Sequence, residues 1–470
     1  LRTRPQGQRI DLDWLKPAIT TRTGKMATNM DALIERIRQK NAGQALFMQA
    51  VEEVLGTLKP VLREHPEIEE LNILERLTEP ERQIIFRVAW QDDDGRVHVN
   101  RGFRIGFNSA LGPYKGGLRF HPSVDISVVK FLAFEQIFKN SLTGLQIGGA
   151  KGGADFNPRG RSDTEVMRFC QSFMNELFRH IGDQTDVPAG DIGVGAREIG
   201  FLFGQYKKLT NRYELGTLTG KGEGWGGSEG RKEATGHGCI YFATEMLATR
   251  DDDLEGKVCV VSGSGNVALY AMRKIQELGG KVVACSQSDG TLYDPGGINF
   301  ETVRMLKEVE RRRLQEYLNV HPDAEFREGR KVWEIECEAA FPCATQNEIL
   351  KKDAEALLEN GCQLVSEGAN MPTNPDALKL FREAGILFGP GKAANAGGVA
   401  VSALEMQQNA GWESWPFARV DKELKKIMKG IHSTCLHYAE RFGTPGDYVA
   451  GANIGGFLRV AQAMNAMGIT

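Results

Sequence analysis

The sequence has few cysteines and no pattern that would pair them or bind a metal. Eight cysteines occur among 470 residues, none is part of a CxxC pair, and no histidines stand at the spacing of a zinc site. We therefore predict a cytoplasmic protein without a structural metal. A cleaved organelle transit peptide stays open as an alternative to a plain basic extension, since Arg2, Arg4 and Arg9 precede the first acid, Asp11.

The chain also lacks long apolar runs and an excess of charge of either sign. No stretch approaches the roughly 18 apolar residues of a membrane span, and the N-terminus has no apolar signal core. The 58 basic residues nearly balance the 61 acidic ones, leaving a net charge of −3. No overall field therefore attracts nucleic acid or an anionic membrane, and neither is an expected partner. An anionic small molecule would have to be bound by local lysines.

Glycine is what the sequence has in excess. The 55 glycines are roughly twice the usual share of about 7%, and many of them flank the candidate site residues described below. A chain of 470 residues is too long for one ordinary domain, because domains average about 150 residues. We therefore expect two or three domains.

Hydrophobic patterning predicts a two-domain α/β fold. Ala45 to Leu58 has apolar residues at helical spacing, and alternation from Ile84 onward with a turn at Asp94-Gly95 predicts a β-hairpin. After a glycine-rich stretch that ends at Gly230, short buried strands alternate with helices, as in a parallel sheet. The predicted divisions are 1–220, a mixed α/β domain; 221–395, a Rossmann-like doubly wound domain; and 396–470, C-terminal helices.

A strand leads directly into a glycine turn and a helix after Val258. The turn reads Gly263-Ser264-Gly265-Asn266-Val267-Ala268, which is GxGxxA. The first glycine permits a tight turn, the second lets the backbone approach a pyrophosphate, and the small last position allows close helix packing. The N-terminus of the helix then faces the anion. Because strand, turn and helix are all present, we predict a dinucleotide site, with a plain glycine turn as the alternative.

The end of the next strand indicates which dinucleotide is bound. NAD sites usually have an Asp or Glu there that holds the ribose 2′-hydroxyl, but this chain has Ser286-Gln287-Ser288 and no acid before Asp289. Hydroxyl and amide groups can donate to a 2′-phosphate, and Arg311 to Arg313 offer positive charge. We therefore predict NADP, with NAD less favoured. A solvated helix face is the alternative interpretation of the arginines.

Three lysines and one aspartate of the first half lie in unusual surroundings. Lys115 and Lys151 stand in the glycine turns PYKGG and GGAKGG, and Lys139 follows Gln136 by three residues, so these two would share a helix face. Each lysine taken singly is more simply structural, but together they predict a pocket for a substrate with several carboxylates. Asp191, in an apolar glycine-rich loop, is either a turn residue or a proton carrier whose pKa is raised by burial.

From about Met30 to Thr470 the chain resembles a known enzyme family. The similarity rests on the motifs PYKGGLRFHPSV, GGAKGG, DVPAGDIGVGAREIG, VSGSGNVA, PCATQNE, EGANMPT and GKAANAGGVAVSALEM. Together they resemble the hexameric glutamate dehydrogenases of the short-subunit class, close to the NADP-specific bacterial type. The resemblance implies reversible oxidative deamination of glutamate to 2-oxoglutarate and ammonia by a homohexamer. It also implies that 1–220 binds substrate and supports oligomerisation, and that 396–470 returns to this first domain.

The resemblance further implies a role for each matching residue. Lys115 and Ser402 would bind the distal carboxylate of glutamate, and Gln136 and Lys139 would bind its α-carboxylate.

Catalysis and cofactor binding are implied for a second set of residues. Lys151 would polarise the carbonyl or activate water, and Asp191 would carry protons to and from the amino group. Ser288 and Arg313 would lie near the 2′-phosphate of NADP. The implied cofactor-binding residues are Thr235, Gly263, Ser264, Gly265, Asn266, Val267, Ser288, Arg313, Asn370 and Asn395.

The sequence departs from the family pattern at two places, and two rival functions stay open. Lys232 replaces a usual proline and Glu229-Gly230 replace apolar residues, which predicts a more mobile loop around Arg231. Glu310 stands where some NADP-specific relatives have lysine, which weakens the prediction of NADP. A leucine- or phenylalanine-type dehydrogenase is one rival, although its pocket would be apolar at the positions of the carboxylate ligands. A non-catalytic dinucleotide-binding sensor is the other.

Overall fold

The computed structural model describes residues 30–65 and 67–469, and the basic N-terminal residues discussed above lie outside these ranges. The chain divides into two units. The first comprises Leu1–Glu229, Ser402–Pro416 and Asn453–Thr470, and the second comprises Gly230–Val401 and Phe417–Ala452. This division differs from the expected one mainly at residues 417–452, which belong to the second unit.

A mixed sheet forms the centre of the first unit. Its strands are β1 (Arg82–Gln91), β2 (Val97–Asn108), β3 (Tyr114–Phe120), β4 (Gly149–Ala154) and β5 (Asp186–Gly190). Their order in the sheet is β1-β2-β4-β3-β5. β1 and β2 pair antiparallel, as do β2 and β4, whereas β3 is parallel to both β4 and β5. The central strand pair β3 and β4 therefore brings Lys115 and Lys151 into one sheet.

The helices of the first unit pack on this sheet or on one another. They are α1 (Met30–Lys40), α2 (Ala45–Thr57), α3 (Lys59–Glu64), α4 (Glu67–Glu70), α5 (Ile73–Thr78), α6 (Ile126–Leu142), α7 (Asp163–Leu177) and α8 (Ala196–Thr210). Short 3₁₀ turns follow at Phe178–His180, Leu215–Thr217 and Glu223–Trp225. α6 is buried on all sides from Ser127 to Leu142, so its polar residues face protein rather than bulk water. The amphipathic helix α2 and the β1–β2 hairpin confirm the predictions for those segments.

The strands β3 and β4 correct the prediction that their lysines lie in glycine turns. Every residue of both strands is buried. A Cβ on Gly116 would stand 1.7 Å from the carbonyl oxygen of Ala150, and Gly153 has a φ of +151° with the carbonyl oxygen of Arg119 in the way of a Cβ. The glycines therefore permit close approach of neighbouring backbone within a sheet. They also remove the β-branched signal by which strands are usually predicted.

The second unit contains a Rossmann-type sheet. Its strands are β6 (Val258–Val261), β7 (Lys281–Gln287), β8 (Gly290–Tyr293), β9 (Glu325–Glu328), β10 (Ala339–Phe341), β11 (Leu364–Ser366) and β12 (Leu387–Gly389). The order is β12-β11-β10-β6-β7-β8-β9. The five strands from β12 to β7 are parallel, and β8 and β9 extend the sheet antiparallel. The predicted α/β class, with its dinucleotide-type sheet in the second half, is confirmed.

Helices follow most strands of the second unit. They are α9 (Ala234–Ala248), α10 (Asn266–Glu277), α11 (Phe300–Arg304), α12 (Lys351–Glu359), α13 (Pro375–Ala384), α14 (Gly391–Ala394) and α16 (Phe417–Arg441), while α15 (Gly397–Gly411) and α17 (Tyr448–Met467) cross a boundary between units. A π-helical turn occupies Met305–Val309, and 3₁₀ turns occupy Leu314–Asn319 and Val332–Glu334. The buried face of α16, which includes Val420, Leu424 and Met428, packs on α9 and explains why 417–452 stay with this unit. None of the helices in the described ranges has the length and apolarity needed to cross a membrane.

Candidate active site

The two catalytic residues predicted from the sequence are in contact. Lys151, in β4, donates from Nζ to Oδ1 of Asp191 at 2.9 Å. Arg119, near the end of β3, donates from Nε to Oδ2 of the same carboxylate at 2.6 Å. The side chains of Lys151 and Arg119 are 5% and 7% exposed, and that of Asp191 is 18% exposed. The result is a nearly dry cluster of two cations around one carboxylate, open to solvent only at the aspartate.

Charge decides the protonation state of Asp191. Burial alone would raise the pKa of this carboxyl, but the charges and hydrogen bonds of Arg119 and Lys151 outweigh burial and hold the pKa well below its usual range. The prediction of a raised pKa is therefore wrong, because it omitted the partners. At neutral pH Asp191 is therefore a carboxylate.

The surroundings of Lys151 shift the pKa of its ammonium group. Burial lowers the pKa of its ammonium group, the charge of Asp191 opposes this effect, and the charge of Arg119 reinforces it. The net direction is downward, so Lys151 releases its proton more readily than a surface lysine. An amine that changes protonation state easily, beside an ionised carboxylate, suits proton transfer.

Thr219 joins the two residues predicted to bind a distal carboxylate. Lys115 is fully buried in β3, and its Nζ donates to the Val187 carbonyl at 3.0 Å and to Oγ1 of Thr219 at 2.6 Å. Oγ1 of Thr219 in turn shares a hydrogen bond with Oγ of Ser402. A cation and two hydroxyls therefore meet at one point. Sequence reasoning missed Thr219, because nothing in its neighbourhood indicates a contact 104 residues from Lys115.

The helix α6 is tied to the same strand. Gln136 and Lys139 are both buried. Gln136 donates from Nε2 to Oδ1 of Asn140 at 2.6 Å, and Asn140 donates from Nδ2 to the Lys115 carbonyl at 3.1 Å. Asn140 thus fixes the helix that carries the two predicted α-carboxylate ligands. Its position four residues after Gln136, on the same helix face, is a feature of the sequence that indicates this contact.

A buried ion pair joins β2 to β5, the strands on either side of the two that carry the lysines. Arg104, in β2, is fully buried and donates from Nε to Oδ2 of Asp186 at 2.8 Å, with a further hydrogen bond from Nη2 to Oδ1. Its Nη1 donates to the Gly116 carbonyl at 3.0 Å. A Cβ on Gly152 would lie 3.0 Å from Cδ of Arg104. The glycine beside Lys151 therefore leaves room for the arginine that connects β2, β3 and β5.

In the second unit, the predicted glycine turn connects β6 to α10. Gly263 has a φ of +87°, which favours glycine, and its N–H donates to Oγ of Ser286 at 2.9 Å. α10 begins at Asn266 after Gly265, whose position offers no side chain to cap the helix, and no atom lies within 4 Å of a Cβ built on Gly265. The free N–H groups of the first helical turn and the open space beside Gly265 fit a pyrophosphate. Ser264 lies in the same turn, and Val267 is the second residue of α10.

Two asparagines form an amide site in the second unit. Asn395 donates from Nδ2 to the Ala369 carbonyl at 2.8 Å and to Oδ1 of Asn370 at 3.0 Å. Its own Oδ1 is buried and has no hydrogen-bond partner within the described part of the chain. A buried acceptor without a partner is costly, and the carboxamide of a nicotinamide would supply the missing donor. The site therefore fits the predicted cofactor.

The remaining predicted cofactor residues lie on three elements of this unit. Thr235 lies in the first turn of α9. Asn266 donates from Nδ2 to the Lys232 carbonyl at 2.6 Å, which fixes the residue that begins α10. Ser288 is exposed in the turn between β7 and β8.

The turn after β7 has a cationic neighbour that the sequence did not reveal. Gln287 accepts at Oε1 from Nζ of Lys307 at 3.2 Å and from the N–H of Leu314 at 3.1 Å. This places Arg313, the residue before Leu314, close to the turn that contains Ser288. Glu310, whose charge argued against NADP, lies 3.4 Å from Arg312, which offsets that charge. The structure thus places the ammonium group of Lys307 at the end of β7, beside the predicted 2′-phosphate turn.

Sequence comparison identifies the family. The domain family described as Glutamate/Leucine/Phenylalanine/Valine dehydrogenase matches residues 226–468, and the Glu/Leu/Phe/Val dehydrogenase dimerisation domain matches residues 80–208. The chain belongs to the Glu/Leu/Phe/Val dehydrogenase family. The two matches together include residues of both units.

Individual relatives of this dehydrogenase chain extend over nearly its whole length. The NADP-specific glutamate dehydrogenase of Helicobacter pylori strain 26695 is 56% identical, across 94% of this chain and 100% of its own. The NAD(P)-specific glutamate dehydrogenase of Xylanibacter ruminicola is 54% identical, across 93% and 99%. The crystal structure of Plasmodium falciparum glutamate dehydrogenase superimposes with a TM-score of 0.91 at 52% identity, covering 94% of this chain and 95% of that one.

The departures from the family pattern have a partial structural explanation. Gly230 has a φ of +72°, a conformation that favours glycine, so the replacement of an apolar residue there accompanies a tight backbone turn. Nothing in the structure explains Lys232 in place of proline.

Proposed function

We propose that the chain is an NADP-dependent glutamate dehydrogenase, which catalyses the reversible oxidative deamination of L-glutamate to 2-oxoglutarate and ammonia. The observation that carries the choice of glutamate is the buried contact of Lys115, Thr219 and Ser402. A cation with two hydroxyls suits a carboxylate at the end of the substrate side chain. The apolar substrate of a leucine- or phenylalanine-type enzyme would instead place a hydrocarbon side chain against this buried cation and its hydroxyls, which is unfavourable.

The chemistry follows from the two clusters of the first unit. Gln136 and Lys139 hold the α-carboxylate, which orients the Cα–H bond. Bound NADP would supply the hydride acceptor for that carbon, and water would add to the resulting imine of the substrate. Lys151 stabilises the negative charge that develops on the carbinolamine oxygen. Asp191, ionised between its two cations, accepts a proton from the amino group or water and returns it as ammonia leaves.

For the cofactor we propose contacts with the second unit alone. The N–H groups around Gly263 to Val267 would hold the pyrophosphate, Thr235, Asn370 and Asn395 the nicotinamide half, and Ser288 with Arg313 the 2′-phosphate. Support comes from the unpartnered Oδ1 of Asn395 and from Lys307 beside the turn after β7. NAD is the less favoured alternative. Because one relative is NAD(P)-specific, the assay described below compares both cofactors.

We also propose a cytoplasmic homohexamer. The matched dimerisation domain supports an oligomer built through the first unit, and free, buried cysteines are typical of a reducing compartment. Sedimentation of the purified full chain measures the oligomeric state directly; a monomer at micromolar concentration would contradict the hexamer.

A spectrophotometric assay tests the proposed reaction. The full chain, supplied with 2-oxoglutarate and ammonium, should oxidise NADPH faster than NADH, which is followed by the loss of reduced-nicotinamide absorbance. Lys115→Leu should then lower kcat/KM for glutamate by about 100-fold or more while the chain still folds. Binding of NADPH without turnover would favour the sensor, and faster turnover of L-leucine than of glutamate would favour the other dehydrogenase type.

A further inference from the structure

A second lysine–carboxylate pair lies close to the proposed glutamate pocket and has no part in the proposed chemistry. Nζ of Lys221 is 2.8 Å from Oε1 of Glu405, and both side chains are 0% exposed. Removing two charges from water is costly unless every donor and acceptor is satisfied. A completely buried pair is therefore expected to be fixed in place by many hydrogen bonds.

The pair is in fact fully bonded. Oε2 of Glu405 accepts from the N–H of Gly220 at 2.9 Å, and Oε1 accepts from the N–H of Lys221 at 3.3 Å. Nζ of Lys221 also donates to Oδ1 of Asn409 at 2.7 Å and to the Leu218 carbonyl. The carboxylate thus holds both the side chain and the backbone of the segment 218–221 against the part of α15 that belongs to the first unit.

The two hydroxyls of the proposed glutamate pocket lie one on each of the two elements that this pair joins. Thr219 lies inside the segment, with its N–H donating to the Pro188 carbonyl at 3.0 Å. Ser402 lies three residues before Glu405 on α15, one helical turn away. Oγ1 of Thr219, which accepts from Lys115, is also hydrogen-bonded to Ser402. This bond depends on how the segment 218–221 is aligned along α15, and the ion pair fixes that alignment.

We propose that Lys221 and Glu405 form a positioning pair that sets the selectivity for a carboxylate at the end of the substrate side chain. The inference rests on the proposed glutamate dehydrogenase function. Neither residue touches the substrate. The lysine also neutralises the Glu405 carboxylate, which would otherwise repel a second carboxylate bound one helical turn away.

The test uses selectivity, which a merely stabilising pair would not alter. Glu405→Gln keeps the shape but cannot accept from both Gly220 and Lys221 as a carboxylate does. We expect its KM for glutamate to rise by about 10- to 100-fold, with the KM for NADP unchanged within about 3-fold. The ratio of kcat/KM for glutamate to that for L-norvaline, which has a methyl in place of the carboxylate, should fall by about the same factor.

A matched control separates selectivity from stability. Asp353 in the second unit is also a buried carboxylate that accepts from a lysine, Lys331, at 2.7 Å and from a backbone N–H, that of Leu350, at 2.9 Å. Asp353→Asn should lower the melting temperature without changing the glutamate to norvaline ratio. If Glu405→Gln fails to fold, Asn409→Leu, which removes one acceptor from Lys221 and leaves the ion pair, should show the same loss of selectivity to a smaller degree.

The outcomes distinguish this inference from the proposed function. An unchanged selectivity ratio in a folded Glu405→Gln or Asn409→Leu variant, with active wild-type enzyme, would overturn the positioning role alone. A wild-type chain that turns over neither glutamate nor 2-oxoglutarate with either cofactor would overturn the proposed function, and the inference with it.

Discussion

The ionised Asp191 and its two cations make the first unit's cluster sensitive to the loss of a single charge. Asp191→Asn removes the proton acceptor but keeps a side chain of the same size. We expect kcat to fall by about 10²- to 10⁴-fold, while the Kd for NADPH stays unchanged because the proposed cofactor contacts lie in the other unit. Steady-state kinetics and fluorescence titration with NADPH measure the two quantities.

Asp92 offers the control for that substitution. It is a buried carboxylate of the same unit that accepts from the N–H of Arg96 in the hairpin turn. Asp92→Asn should leave kcat near normal. Near-normal turnover by Asp191→Asn would remove its catalytic role.

The pH dependence of activity should depend on Arg119. Its charge lowers the pKa of both Asp191 and Lys151. Arg119→Gln keeps a donor but removes the charge, so both pKa values rise, and the pH profile of kcat/KM should move to higher pH by about 1 unit. The profile should move to higher pH whether the protonation of Asp191 or that of Lys151 limits the rate.

Arg168 provides the comparison for the pH experiment. This arginine pairs with Asp93 at the surface of the same unit, so Arg168→Gln should leave the profile in place. Superimposable profiles of wild type and Arg119→Gln, or a shift to lower pH, would contradict the electrostatic account.

At the residue scale, the sequence predicted the groups but not all of their contacts. Lys151 and Asp191 were both identified and do touch, and Lys115 and Ser402 meet through a third residue. Thr219 and Arg119 were missed because their partners lie far away in sequence. The direction of the Asp191 pKa was wrong for the same reason: burial can be anticipated from apolar neighbours, whereas the two cations become visible only in three dimensions.

Strands β3 and β4 depend on glycine to pack against each other. Gly116→Ala would place a methyl group 1.7 Å from the Ala150 carbonyl oxygen, so neighbouring backbone must move. We expect a loss of more than about 3 kcal/mol in the free energy of unfolding, or failure to fold. Denaturant unfolding followed by circular dichroism measures it.

Gly204 supplies the matched control at this scale. It lies in α8, and no atom lies within 4 Å of a Cβ built on it. Gly204→Ala should be neutral or stabilise by up to about 1 kcal/mol, because alanine favours helix. Equal stabilities of the two variants would show that the strand pair tolerates a side chain.

At the element scale, periodic patterns were predicted well and glycine-rich strands were not. The helix α2 and the β1–β2 hairpin have ordinary amphipathic or alternating sequences. β3 and β4 contain glycine where strands normally have branched residues, since their neighbours approach too closely for side chains. The glycine-rich composition therefore indicated turns, but the close packing of neighbouring backbone makes these segments strands.

Burial of the cysteines is a property of the whole molecule. All eight are free and buried, and burial raises the pKa of the thiols of Cys239, Cys259 and Cys285 to about 12. We expect native protein to react slowly with a chromogenic disulfide reagent, and eight thiols to react once guanidinium unfolds the chain. A thiol that reacts in the native protein as fast as a free thiol would contradict this.

Chain connectivity also acts on the molecule as a whole. The chain crosses between units at 229/230, 401/402, 416/417 and 452/453. The first unit therefore needs residues from the middle and the end of the sequence, including Ser402. The family resemblance implied that 396–470 returns to the first domain, whereas α16 packs on α9 and belongs to the second unit.

The crowding around β3 and β4 has a consequence for protein engineering. Mutational libraries aimed at a new amino-acid substrate will lose most members when they randomise the glycines around Lys115 and Lys151, because few of those chains fold. Libraries at Thr219, Ser402 and the α15 positions next to them vary side chains on a helix and a loop segment and leave the glycines of β3 and β4 unchanged. Directed evolution of substrate preference should therefore succeed at positions of α15 and of the segment 218–221, and fail at the glycines of β3 and β4.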